Sequence, residues 1–273
     1  MTRRFEKGQI YKPRYAELGF ETIGVLTDFL LSPSMKILEV TLWIYRTAFQ
    51  RSWQCVRKNW LVSLAPLAYG IILSVVVSLV VPLGIIGGFV YSLASAACAS
   101  SGLYLIKNLV DGGKINFNDF LNGFTVYIWD VITIGFILWL PMRVAAMGLA
   151  SVPNGEMLYR LLWLGLYILL NAVPELIYQS RTTGLELISA SYAFIVENWL
   201  EWLIPNVFCA LTGYFLLDLF GSLIVNLPVY LEFFLQAFLL GLGLAYLMTF
   251  RGFLFAELHG TTRRGRLYRY TTR

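Results

Sequence analysis

The chain is short of charge and almost empty of the groups that enzymes use. Only 14% of its 273 residues are Asp, Glu, Lys or Arg, against roughly 25% in ordinary soluble domains. Between Lys58 and Lys107 there is no charged residue at all. A water-soluble globule is excluded by that scarcity, because too little polar surface remains to face water. The single histidine, His259, rules out a bis-histidine haem. The three cysteines, Cys55, Cys98 and Cys209, are too widely spaced to form a zinc or iron–sulfur cluster. They read as small packing residues, neither disulfide partners nor metal ligands. Nucleophile elbow, Walker loop and paired metal-binding carboxylates are all missing, and Gly241-Leu242-Gly243 lies in an apolar run instead of opening a phosphate loop. No catalytic residue, metal ligand or cofactor is therefore expected.

What is abundant is apolar: 58% of the residues are hydrophobic and 16% aromatic. One crossing of a bilayer takes about 20 apolar residues in a helix, and six such stretches are predicted, over residues 60–82, 84–107, 124–149, 158–178, 200–226 and 229–250. Pro82-Leu83-Gly84 supplies the turn between the first two, Asp111-Gly112-Gly113 follows the second, and Pro153-Asn154-Gly155 joins the third and fourth. Asn116 is a candidate cap for a short amphipathic lead-in through Phe117, Phe120 and Leu121. The expected fold class is all-α: a polytopic membrane protein of about six transmembrane helices, preceded by interfacial amphipathic helices.

The segment before the first span carries two amphipathic patterns. Residues 15–32 place Leu18, Ile23, Leu26, Phe29 and Leu30 near one helical face, and Pro33 ends that pattern. From Met35 to Trp60, apolar residues recur at Leu38, Leu42, Tyr45, Phe49, Trp53, Val56 and Trp60, with Arg46, Gln50, Gln54 and Arg57 opposite, as in a helix lying in the membrane interface. The first residues, MTRRFEKGQIYKPRY, lack an apolar signal core, so a retained, cytoplasmic start is expected. The net charge of +5 is not a nucleic-acid footprint. In the six-span arrangement all of the 21 Lys and Arg except Arg143 and Arg160 fall on one side. The positive-inside rule makes that side cytoplasmic and puts both termini on it, in a plasma (inner) membrane.

The chain divides into an arm with interfacial helices (1–58), a first transmembrane hairpin (59–110), a loop and central hairpin (111–181), an interfacial helix with a third hairpin (182–258), and a basic tail (259–273). Two of these pieces echo one another. Asn59-Trp60-Leu61-Val62-Ser63-Leu64-Ala65-Pro66 and Asn198-Trp199-Leu200-Glu201-Trp202-Leu203-Ile204-Pro205 share Asn, Trp, Leu, Leu and Pro in register. Each copy is followed by a returning span with a ridge of small residues, Ala94, Cys98 and Gly102 in the first, Ala237, Gly241 and Ala245 in the second. Small residues four apart let helices approach closely in lipid, so these ridges are expected helix contacts. Either the echo is a parallel repeat, both copies starting from the same side, or it reflects similar membrane chemistry. Trp53, Trp60, Trp199 and Trp202 are expected interface anchors.

The Arg57-Lys58-Asn59-Trp60 start, the stretch from Asn116 to Asp130 and the closing Arg251-Gly252-Phe253-Leu254-Phe255 resemble the bacterial YciC-like and glycerophosphodiester phosphodiesterase membrane-domain-like families, over residues 41–258. That resemblance implies a multi-pass fold without a defined activity. It carries over no catalytic residue, because the soluble phosphodiesterase domain of some relatives has no counterpart here.

Ionisable groups inside spans are costly and so demand a reason. Here they are Asp130, Arg143, Arg160 and Asp218, with Glu175 and Glu232 nearer span ends. An Arg143 to Asp218 pair, joined by Arg160, is one arrangement that would clamp the central hairpin to the second repeat. A solute or proton path is the other reading, with Asp130 as a lone site for a proton or a partner. The tail residues Arg263, Arg264, Arg266, Arg269 and Arg273 suit anionic headgroups or an acidic protein. Taken together, these features predict a non-enzymatic membrane scaffold or accessory subunit whose partners are anionic lipids and other membrane proteins. A small transporter or channel component is the alternative, and a lipid-handling protein the third reading.

Overall fold

The computed structural model describes residues 33–271 apart from Arg181 and Asn226, so the pattern over 15–32, Arg181 and Arg273 lie outside the described residues. Within them the regular structure is all helical, and six helical stretches are long and apolar enough to cross a membrane: Trp60–Leu83, Ile85–Val110, Ile128–Leu149, Gly155–Gln179, Gly184–Ile224 and Val229–Leu258. Lipid offers no partner for a bare peptide group, and the helix satisfies its own. In order, the α-helices are α1 (Pro33–Lys58), α2 (Ala65–Val80), α3 (Ile85–Val110), α4 (Phe117–Val126), α5 (Ile128–Leu149), α6 (Gly155–Leu169), α7 (Val173–Gln179), α8 (Gly184–Ile224), α9 (Val229–Leu258) and α10 (Arg263–Thr271). A 3-10 turn over Trp60–Leu64 opens the first span.

Several boundaries follow local chemistry. Asp119 Oδ2 accepts the Asn116 backbone N–H at 2.8 Å, which starts α4 at the expected cap. The α3–α4 loop turns through Gly112 at φ 77°, and the α5–α6 turn places Asn154 at φ 59°, conformations that suit glycine and asparagine. The third predicted stretch is broken at Tyr127, and the fourth is broken between α6 and α7, where Leu170 leaves helical geometry. The fifth is longer than expected, because α8 runs on from the preceding interfacial segment with only Asn198 out of helical geometry.

The described residues separate into two compact units, one holding 33–43 with 263–271, the other Ile44–Thr262. In the smaller unit the Tyr270 hydroxyl donates to Glu39 Oε1 at 2.7 Å, and the Tyr270 ring meets Trp43 edge-on. Of the tail arginines read as suited to anionic headgroups or an acidic protein, Arg266 is 7% exposed. Packing turns one side of α10 inward.

The larger unit is packed unevenly along its length. The ends that meet are the starts of α2, α5 and the crossing part of α8, and the finishes of α3, α7 and α9. Buried side chains concentrate there, among them Leu105, Leu109, Leu176, Leu187, Trp202, Phe250 and Phe255. Toward the opposite end burial fades, and between residues 207 and 240 no described residue is buried. The amphipathic lead-in is pinned to the packed end. Ser100 Oγ donates to the Gly123 carbonyl at 2.6 Å and accepts the Tyr127 N–H at 2.8 Å, while Ser101 Oγ donates to the Phe120 carbonyl. A Cβ at Gly123 would strike the Ser101 backbone, so only glycine fits there.

Candidate functional site

Two features stand out in the larger unit: a polar bolt at the packed end and a cleft toward the loose end. The bolt joins α7 to α9. Arg251 Nε donates to Glu175 Oε1 at 2.7 Å and Nη2 to Glu175 Oε2 at 2.8 Å, with Glu175 completely buried. A second Nη2 contact reaches the Asn171 carbonyl in the break before α7. The guanidinium lies over the Trp202 ring, 5.2 Å from its centroid, and Trp202 Nε1 donates to Asn171 Oδ1 at 3.0 Å. Gln179 Nε2 donates to the Gly252 carbonyl at 2.9 Å, closing the same joint one turn further on. Three spans thus meet on one cation, which is how a charge survives burial.

This overturns two expectations. Trp202 is not an interface anchor: it is fully buried as the platform for Arg251, because residue 202 sits on the inner face of α8. The other three, Trp53, Trp60 and Trp199, are each about half exposed. Nor do Arg143 and Asp218 form a clamp. Arg143 is exposed and has no ion pair among the described residues, while Arg160 pairs with Glu156 one turn away on the same exposed helix face. Asp130 is half-buried in the first turn of α5, with no hydrogen bond or ion pair among the described residues. The sequence placed Glu175 near a span end and Arg251 just past one, and paired neither. The break at Asn171 and the extension of α9 past Arg251 to Leu258 bring them together.

The echo between the two copies is geometric as well as chemical. Asn59 has φ −122° and ψ 39°, and Asn198 has φ −125° and ψ 21°. Each leaves helical geometry at the same place, and each side-chain amide donates to the carbonyl four residues back, Cys55 at 3.1 Å and Phe194 at 3.2 Å. At Asn59 the amide joins the backbone N–H, which reaches the same Cys55 carbonyl at 3.1 Å. In the first copy the asparagine also clasps the α3–α4 loop, accepting the Ile115 N–H at 3.1 Å.

The small-residue ridges differ in how closely they pack. Gly241 lies against the Ser63 backbone so tightly that a Cβ would overlap the carbonyl, and Ala245 is buried beside Val62 and Ala65. In the first ridge Cys98 is buried, Gly102 approaches the Tyr69 ring and Ala94 is half-buried. Ala237 is half-buried and faces the cleft.

That cleft, about 1190 Å³, opens between α2, the far half of α8 and the near half of α9. Toward the packed end it is lined by Pro66, Leu67, Leu239 and Leu240, and toward the loose end by Asp218, Ser222, Glu232 and Gln236. Gly70 and Gly221 line it, and a Cβ on either would meet no atom within 4 Å. A second cavity of about 490 Å³, lined by carbon, is bordered by Gly241 and shares Pro66 with the first. No family model, curated protein or solved structure matches this chain. The class is set by the fold alone: an all-α polytopic membrane protein with six membrane-competent helices.

On α1, residues 44–58 bury Ile44, Ala48, Ser52 and Val56 along one i, i+4 stripe, so Val56 does not belong to the exposed face. Phe49 and Trp53 stay more than half exposed, with Arg46, Gln50, Gln54 and Arg57 also exposed around them. The helix is fastened by Arg51 to Glu257 at 3.6 Å and by Phe49 edge-on to Tyr246.

Proposed function

We propose that this is a binding protein of the plasma (inner) membrane, with both termini cytoplasmic, that holds a lipid-like amphiphile in the cleft between α2, α8 and α9. The observation that carries this reading is the cleft itself. It is larger than the ~300–1,000 Å³ of ordinary small-molecule sites, apolar in its depth and polar toward one end. A protein whose surroundings are lipid fills such a space from the bilayer. The orientation rests on the Lys and Arg gathered at the packed end. On the cytoplasmic face, Phe49 and Trp53 enter the headgroup region while Arg46 and Arg57 meet anionic lipid.

The test is native mass spectrometry of the protein released from membranes in mild detergent. The expected result is a retained species of lipid mass that Gly221→Phe, which plugs the cleft, reduces several-fold. A lipid-free protein that instead carries a stoichiometric membrane partner overturns this reading and favours the accessory-subunit role.

A further inference from the structure

From the charge on the cleft we infer that its occupant is a bilayer lipid with an ammonium head group, held by Asp218 of α8 and Glu232 of α9. This rests on the reading of the cleft as an amphiphile site. The two acids come from facing helices and look into one space. Among the described residues neither meets a cation: Glu232 accepts only the Gln236 amide, at 3.1 Å, and Asp218 makes no hydrogen bond or ion pair. A carboxylate at membrane depth is expensive, and the cost is relieved by a counter-charge or by a proton. Arg251, the Lys or Arg nearest to both in sequence, is engaged with Glu175.

The rest of the lining agrees with an ammonium. Tyr214 and Phe233 present aromatic rings to the same cleft, and ring faces attract alkylammonium groups. An anionic head would face two like charges and no cation, so a phosphate-only headgroup is disfavoured. The polar end of the cleft lies at the loose end of the bundle and its apolar depth reaches Pro66, near the packed end. A lipid therefore seats with its ammonium toward the loose end and its chains toward the bundle middle, the direction of the leaflet away from the Lys and Arg.

The experiment places the full-length protein in nanodiscs of equal phosphatidylethanolamine and phosphatidylglycerol, then counts each lipid retained by native mass spectrometry. The expected result is about a tenfold preference for phosphatidylethanolamine. Asp218→Asn with Glu232→Gln should lose it, and Asp218→Glu, which keeps the charge, should retain it. Both variants replace residues outside the packed end, and monodisperse elution confirms folding. If both lipids are retained alike by every variant, the ammonium assignment is overturned and the amphiphile site stands. If no lipid is retained, both fall.

Discussion

Glu175 and Arg251, 76 residues apart in the chain, meet through two parallel hydrogen bonds in the most buried part of the larger unit. Around them α7, α8 and α9 converge, and beyond them the helices separate. The molecule is therefore closed at one end by a charge pair and left open at the other, where its candidate site lies.

Removing one member of the pair should be severe. Glu175→Gln or Arg251→Met leaves a buried polar group without its counter-charge, at a cost of about 3–5 kcal/mol. The double variant should be less destabilised than the two single costs predict, since it leaves no lone charge. Thermal unfolding in detergent, run as a double-mutant cycle, measures the coupling, and simple additivity would refute it.

Gly241 offers a sharp steric contrast with its neighbour. Gly241→Val must displace the Ser63 backbone and should lower stability by about 1–3 kcal/mol. Gly243→Ala, where a Cβ meets no atom within 4 Å, should be tolerated and is expected to leave the melting temperature close to that of the parent.

The two kinks should respond alike if they are copies of one device. Asn59→Ala and Asn198→Ala each remove a side-chain bond to the carbonyl four residues back, costing about 1 kcal/mol apiece. Asn59→Ala should in addition loosen the loop at Ile115, read as faster amide exchange of residues 111–116 while the loop ahead of α8 is unchanged.

Tryptophan depth separates platform from anchors. In variants keeping a single tryptophan, lipid-borne bromine should quench Trp53, Trp60 and Trp199 strongly and leave Trp202 bright. Equal quenching at all four would mean that Trp202 faces lipid.

Tyr45 lies outside the spans, and burial together with the Glu201 carboxylate pushes its phenol up to about 12. An unfolded tyrosine ionises near 10, so the folded state holds its proton longer. The stability from Tyr45 is complete below pH 10 and is lost as pH rises from 10 toward 12. Tyr45→Phe should flatten that alkaline decline, and phenolate absorbance should show one fewer late-titrating group.

The six membrane-competent helices and the cap at Asn116 were legible in the chain, because each depends on residues adjacent in sequence. Twenty apolar residues in lipid must be helical, and an asparagine before Phe117 can act without distant help. The kinks were half legible: the octapeptides matched in register, but only backbone geometry showed that Asn59 and Asn198 both leave helical geometry and both donate to the carbonyl four residues back. What tertiary structure alone decided was pairing. Arg251 belongs to Glu175 and not to water, Trp202 supports a cation instead of facing a headgroup, and Asp218 faces a cleft instead of Arg143. Pairing depends on where helices bend and which faces meet, and no spacing rule joins residues 76 positions apart. The physical reason is that lipid fixes each helix by itself, whereas the partner of a buried charge is fixed only when all the helices pack.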